Sequence, residues 1–211
     1  MQHGGLFNNQ EAQDLVDSIG EELLLASNID ESPYRFEFHL LADPDTVNAF
    51  ALPGGQVFIT LALFKELETH GQLAGVLGHE IGHVLERHSA QRIAKQKLTQ
   101  GITGAAVLAT YDPSSGTSNA QIAQMIGGLV NMKYGREDEL ESDDWGVQLA
   151  TEAKYDPYAM IEVMNILERA SGGAKQAEFF STHPNPENRR EKIKLAIEKH
   201  YPDGLPQGLR K

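Results

Sequence analysis

The stretch Leu77–His88, LGHEIGHVLERH, decides how the rest of the chain is read. Drawn as a helix at about 100° per residue, it sets Leu77, Ile81, Val84 and Leu85 along one side. That is a core stripe. His79 and His83 fall on the opposite side, flanked by Gly75 and Gly82. Histidines four residues apart stack on one helical face, close enough to hold a single ion. Glu80 lies about 100° further round, beside the ion rather than on it. That placing suits a base acting on a metal-bound water. The pattern His-Glu-x-x-His specifies only three positions, so it needs support from elsewhere in the chain.

A catalytic zinc usually has three protein ligands and a water. Glu86 faces nearly the same way as the two histidines. It lies about 10 Å along the axis from His79, however, at 1.5 Å per residue, too far for bonds of about 2 Å. Glu86 is therefore read as a structural or exposed carboxylate. The metzincin pattern also fails, because it needs Gly at position 86 and His at 89, where this chain has Glu86 and Ser89.

The acidic run Gly135–Ala150, GREDELESDDWGVQLA, supplies a better third ligand. On a helix, Glu139, Asp143, Gly146, Val147 and Ala150 share a face, while Glu137, Asp138, Glu141 and Asp144 point elsewhere. The stripe carrying Glu139 and Asp143 thus continues into the core, where an unpaired charge is costly. An ion would meet that need for Glu139. Asp143, one turn on, would accept a hydrogen bond from a ligand histidine's other nitrogen. The competing reading is an internal salt bridge. Gly82 and Gly146 would let the two helices approach closely.

A further histidine stands in Ser181–Arg190, STHPNPENRR. His183 precedes a helix that Asn185 caps and Pro186 opens. On that helix Arg189, Ile193, Ala196 and Ile197 form an inward stripe. Taken alone, His183 is a loop or capping residue. In a zinc peptidase it gains two roles: stabilising the oxyanion, or closing the fourth metal position in a resting form. His3, His39, His70, His88 and His200 have no comparable context and are read as structural or exposed.

The 211 residues suit one domain, and 40% apolar content is enough for a sizeable core. A net charge of −12 argues against nucleic acid or an anionic membrane surface as partner. The absence of cysteine excludes disulfides, thiolate ligands and cysteine nucleophiles. The N-terminus, MQHGGLFNNQ, has no secretory pattern. The longest apolar stretch, Ile102–Thr110, is far short of the roughly 20 residues that span a bilayer, so the chain is expected to be soluble.

Periodicity predicts helices at Gln10–Ser27, Leu61–Leu67, Gln72–Ala94, Ala120–Met132, Glu137–Ala153 and Pro157–Ala170, and a last one after a loop at Thr182–Asn185. Asp112–Asn119 is a polar loop. Arg35–Leu41 alternates as a half-buried strand. Val47–Thr60 reads as two short strands around Leu52-Pro53-Gly54-Gly55, a type II turn with positive φ at Gly54. The expected fold is α+β: predominantly helical, with a small sheet in the N-terminal third. One domain, residues 1–200, is followed by a loose tail, 201–211.

Taken in order, NAFALPGG, LGHEIGHV..RH, R..ELESD and THPNPENR resemble a family of zinc metallopeptidases. It includes the CaaX prenyl protease, HtpX, the envelope proteases BepA and LoiP, and the mitochondrial Oma protease. These are gluzincins, marked by His-Glu-x-x-His and Glu-x-x-x-Asp. The pieces run from about Val47 to Arg189, and the ordered set is specific where single motifs are weak. The resemblance implies a zincin-like fold and one zinc ion per chain, held by His79, His83 and Glu139, with His183 as an optional fourth ligand. It implies Glu80 as general base, Asp143 behind a ligand histidine, and His183 and Arg189 at the oxyanion. Asn48, Ala49, Phe50, Ala51, Pro53, Gly54 and Gly55 would line the cleft, the edge strand there pairing with an extended peptide. Without the resemblance that segment is a plain hairpin. Ser142 stands where the family commonly has alanine.

The implied activity is endopeptidase cleavage of polypeptides by Glu-assisted attack of a zinc-bound water, in protein quality control of the bacterial envelope. The implied location is the periplasm or envelope, any export signal being absent from this chain; the cytoplasm is the alternative. The rivals are a non-catalytic or self-inhibited chaperone-like domain that keeps the metal, a non-peptidase metal hydrolase, and a metal-free helical interaction protein.

Overall fold

The computed structural model describes residues 3–29, 32–99, 133–171, 179–184 and 188–211. The expected loop at 112–119, the helix at 120–132 and the cap formed by Asn185 and Pro186 lie outside the described residues.

Helix α1 (Gln10–Ala26) starts where the Asn9 side chain accepts the Ala12 N–H, and it buries Val16, Ile19, Leu23 and Leu24. A three-stranded sheet follows: β1 (Glu37–Leu41), β2 (Ala49–Ala51) and β3 (Gln56–Thr60), in the order β1-β3-β2. β1 runs parallel to β3, with Glu37 opposite Gln56. β2 runs antiparallel to it, with Phe50 opposite Phe58.

The turn between β2 and β3 differs from expectation. The Gly55 N–H donates to the Leu52 carbonyl at 3.0 Å, which closes the expected four residues. Positive φ, however, falls on Gly55 (106°) and not on Gly54. This is a type I turn followed by a left-handed residue, the three-residue hairpin connection, rather than type II. A Cβ on Gly55 would stand 2.7 Å from the Arg35 carbonyl oxygen, so glycine is required twice over.

The helices that follow are α2 (Leu61–Glu66), α3 (His70–Leu85), α4 (His88–Thr99), α5 (Arg136–Glu152), α6 (Ala159–Ser171), α7 (Phe179–Thr182) and α8 (Arg189–His200). Helix α3 is the centre of the molecule. Every residue from Gly71 to Val84 is buried. It packs on α1 and the sheet on one side and on α5 and α6 on the other. Leu77 and Ile81, wholly buried, join Leu23, Leu40 and Ile59 in the core. Burying each such side chain contributes about 1.5–3 kcal/mol. The histidine face is therefore not turned to solvent; it is enclosed by a second layer of helices.

The expected helix Gln72–Ala94 is broken. Glu86 caps α3, and Arg87 takes the left-handed conformation (φ 58°) before α4 begins at His88. The expected close approach of two helices is present between α3 and α5. A Cβ on Gly82 would lie 3.0 Å from the Ser142 Cα and 2.9 Å from the Trp145 Cβ. Gly146 meets Gly78 rather than Gly82: a Cβ on Gly78 would lie 3.3 Å from the Gly146 Cα.

The tail, expected to be loose, is pinned at Arg210. Its N–H donates to the Lys154 carbonyl at 2.7 Å, and its carbonyl accepts from the Asp156 N–H at 2.8 Å. Its guanidinium lies 2.6 Å from Glu22 and 4.2 Å above the Tyr155 ring. Prolines and glycines in 201–211 preclude regular structure but not docking. The architecture is α+β, mostly helical with a small sheet. Among the described residues no helix is long and apolar enough to cross a membrane.

Candidate metal centre

His79 and His83 project from the same face of α3, and their Nε2 atoms are 3.1 Å apart. Glu139, in the first turn of α5, faces both. Its Oε2 is 3.7 Å from His79 Nε2 and its Oε1 is 3.4 Å from His83 Nε2. His183, just past α7, completes the group, and one ligand atom from each of the four residues lies within 4.8 Å of the others. A tetrahedral ion with bonds of about 2 Å sets two ligand atoms about 3.3 Å apart, so the spacing fits one ion. Glu80 stands alongside, its Oε1 3.4 Å from His183 Nε2.

The inner atoms of this cluster lack partners. Both oxygens of Glu139, both oxygens of Glu80 and His183 Nε2 are buried and make no hydrogen bond among the described residues. Arg189 Nη1 comes within 3.0 Å of Glu139 Oε2, near enough for attraction but without hydrogen-bond alignment. Leaving such groups unpaired costs about 1–3 kcal/mol each, and more for charges. Two imidazoles and a carboxylate converging on one point are a donor set for a divalent ion.

Residues 10–197 match the model of peptidase family M48. The chain belongs to peptidase family M48. It is similar to the beta-barrel assembly-enhancing protease of Escherichia coli K12, at 30% identity over 87% of this chain and 38% of that one. It is similar to the metalloprotease YcaL of the same organism, at 30% over 82% of this chain and 66% of that one. It also resembles the mitochondrial metalloendopeptidase OMA1 of Schizosaccharomyces pombe, at 35% over 77% of this chain and 47% of that one. The chain thus spans well under half the length of the first of these relatives. Membership of M48 implies a metal ion, and the cluster described above is where this chain has the donors for it.

Around the unpaired centre the M48 chain builds a paired ring. His79 Nδ1 lies 3.0 Å from Asp143 Oδ1. Asp143 also accepts two hydrogen bonds from Arg189, from Nε at 2.7 Å and from Nη2 at 2.8 Å. His183 Nδ1 pairs with the Thr182 hydroxyl at 2.9 Å, and its ring stacks on Phe179 with centroids 4.3 Å apart. His83 stacks on Tyr134, 3.9 Å away, and the Tyr134 hydroxyl pairs with Ser89.

The electrostatics follow from burial. Desolvation pushes Glu80 up to about 8, against the pull of Arg189, and holds Glu139 well above the usual carboxylate range. It holds His83 and His183 well below the usual imidazole value and lowers His79 as well. Neutral imidazoles beside these buried acidic groups form a site suited to a divalent cation. Asp143 behaves oppositely. Burial alone would raise it, but the Arg189 guanidinium and His79 override that and hold it at about 2.

Of the residues singled out from the sequence, the structure brings together His79, Glu80, His83, Glu139, Asp143, His183 and Arg189. Glu86, set aside on distance, accepts the Trp145 Nε1–H at 2.7 Å. The cleft segment is placed less simply. β2 is one of the two terminal strands of the sheet among the described residues and packs against α3. Leu52 and Pro53 share a cavity of about 240 Å³ with His83, Val84, Arg87 and Tyr34. Yet Asn48, Ala49, Phe50 and Ala51 are buried, so the expected open edge is covered in this structure. Gly54 and Gly55 form the turn. A larger cavity, about 660 Å³ between α1 and β1, is lined by none of the site residues.

His88, read from the sequence as structural or exposed, stands directly behind His83. It is buried, its Nδ1 is 2.9 Å from His83 Nδ1, and its Nε2 is 3.0 Å from Glu141 Oε2. On an unbroken helix it would lie roughly 140° away from His83. The left-handed Arg87 turns it back. The Arg-His pair that closes the opening stretch was the available signal.

Proposed function

We propose that this chain is a zinc-dependent endopeptidase domain in which His79, His83 and Glu139 hold the ion and Glu80 is the general base. The observation that carries this reading is the convergence of three donors on one point beside a buried carboxylate that has no hydrogen-bond partner among the described residues. Zinc bound there supplies Lewis acidity, polarising a peptide carbonyl and making a water acidic near neutral pH. Glu80 takes the proton of the attacking water and delivers it to the leaving amine. His183 Nε2, 3.4 Å from Glu80, is placed to donate to the developing oxyanion. The resemblance puts Arg189 at the oxyanion too. Its Nε and Nη2 are engaged by Asp143, and we assign it to holding Asp143 and Glu139 in place.

The substrates we propose are polypeptides, bordered by the turn at Pro53, Gly54 and Gly55; pairing with β2 through Asn48–Ala51 would require uncovering that edge. Asn48 is wholly buried with both side-chain amide atoms unpaired among the described residues, which supports a role for it once a peptide is bound. Similarity to the beta-barrel assembly-enhancing protease supports a role in protein quality control of the bacterial envelope, in the periplasm.

A second reading has one observation in its favour. His183 offers a fourth ligand within the same 4.8 Å, which would close the site in a resting or non-catalytic domain. Elemental analysis of the purified chain, with casein digestion in the presence and absence of a chelator, tests both. One zinc per chain with chelator-sensitive cleavage is expected. In the second reading the wild type is slow and His183→Ala cleaves faster; in the first, His183→Ala cleaves more slowly. Bound zinc without cleavage in either protein refutes the peptidase.

A further inference from the structure

We propose that His88, oriented by Glu141, is a positioning residue that fixes the tautomer of His83 and so aims the His83 Nε2 lone pair at the ion. This rests on the reading of His79, His83 and Glu139 as the metal ligands. The two ligand histidines are supported differently. His79 has a carboxylate behind it: Nδ1–H donates to Asp143, which leaves Nε2 as the acceptor facing Glu139 and His83. A carboxylate accepts only, so the tautomer is fixed.

His83 has a second imidazole behind it, and two imidazole nitrogens at 2.9 Å leave the direction of donation open. Glu141 resolves it. Its Oε2 sits 3.0 Å from His88 Nε2 and can only accept, so His88 Nε2 carries the proton of that hydrogen bond. His88 Nδ1 is then an acceptor. The Ser142 hydroxyl, 3.4 Å from the same Nδ1, is a donor compatible with that assignment. His83 must therefore donate from Nδ1, and its Nε2 is left unprotonated, facing His79 Nε2 at 3.1 Å and Glu139 Oε1 at 3.4 Å. The reverse arrangement would put a proton on His83 Nε2, in the space the ion needs. Glu141–His88–His83 thus does for the second ligand what Asp143 does for the first. Because the Glu141 side chain is 61% exposed, this support reaches the ion from the protein surface.

The test is zinc affinity, measured on the full chain by competition with a chromogenic chelator. The proteins are wild type, His88→Leu, His88→Asn, Glu141→Gln and the double variant of Asn at 88 with Gln at 141. Losing a group behind a metal ligand typically costs about 10–100-fold in affinity, and that is expected of His88→Leu. His88→Asn restores most of the affinity, because the amide oxygen occupies the place of Nδ1 and accepts from His83. Glu141→Gln weakens binding by a few fold in the wild type and changes nothing when Asn is at 88, since the chain to Glu141 is already cut. Absorption of the cobalt(II) form follows the same pattern: wild-type shape with Asn, altered with Leu. Equal loss in the Leu and Asn variants would make His88 a packing residue and overturn the proposal. Unchanged affinity in His88→Leu would overturn it as well. A wild type that takes no zinc would sink the metal reading along with it. Glu141 is exposed, so its variant is expected to fold and the comparison survives a misfolded Leu variant.

Discussion

Glu139 and Asp143 stand one helical turn apart on α5, both buried, and their surroundings are opposite. Asp143 has two hydrogen bonds from Arg189 and one from His79, and is held at about 2. Glu139 has no hydrogen bond among the described residues, and burial holds it well above the usual range. The same contrast separates the ring from the centre. Ring atoms are paired to protein; central atoms face one another. A fold that satisfies Asp143 so completely, while Glu139, 5–6 Å along the same helix, has only the poorly aligned approach of Arg189 Nη1, leaves the centre suited to a cation.

Substitutions on either side of that contrast should behave differently. The largest effect is expected from Glu139→Gln, which removes the proposed carboxylate ligand and with it a buried acid that has no hydrogen bond among the described residues. Bound metal should fall more than about 100-fold, cleavage should vanish, and thermal stability without metal should hold or rise. A metal content equal to wild type would end the assignment of Glu139. Glu80→Gln should keep metal, by elemental analysis, while the cleavage rate drops about 10²–10⁴-fold; full activity would remove Glu80 from the chemistry. Asp143→Asn tests the ring. Metal affinity should fall about 10–100-fold, and stability should fall too, because Arg189 loses a buried partner. That double signature is what distinguishes ring from centre.

Gly82→Ala probes the contact that brings the two regions together. Its methyl would meet Ser142 backbone at 3.0 Å, so an overpacking cost of about 1–3 kcal/mol is expected, read by chemical denaturation. The smallest effect is expected far from the site. Arg210→Ala removes an exposed ion pair with Glu22, a hydrogen bond to the Ala153 carbonyl and the stacking on Tyr155, and should cost about 1–2 kcal/mol, with metal content unchanged.

Much of this centre was legible in the sequence because helical periodicity converts spacing into direction. His79 and His83 at i and i+4 must share a face, and Glu139 and Asp143 on a stripe that continues to Val147 and Ala150 must be buried. What stayed hidden depended on breaks in that periodicity. Arg87 ends α3 in a left-handed conformation with no Gly, Asn or Pro to announce it, so nothing in the helical repeat puts His88 beside His83. The turn at Leu52–Gly55 contains two adjacent glycines, and only the packing against Arg35 selects Gly55 for positive φ. Arg210 sits among prolines and glycines, and its partners Glu22, Lys154 and Asp156 are brought to it only by the folded body.

By itself the sequence determined the chemistry: which side chains are donors, their separation along two helices, the apolar stripes that drive both helices inward, and the family to which the motifs point. Only the tertiary structure decided the partnerships. α3 and α5 are far apart in the chain and meet through Gly82, Ser142, Gly78 and Gly146, and that approach sets Glu139 against both histidines. Arg189 reaches Asp143, and Glu141 reaches His88, across the same junction. The physical reason is that direction along one helix follows from a local repeat, whereas distance between helices depends on how closely side chains from remote segments pack.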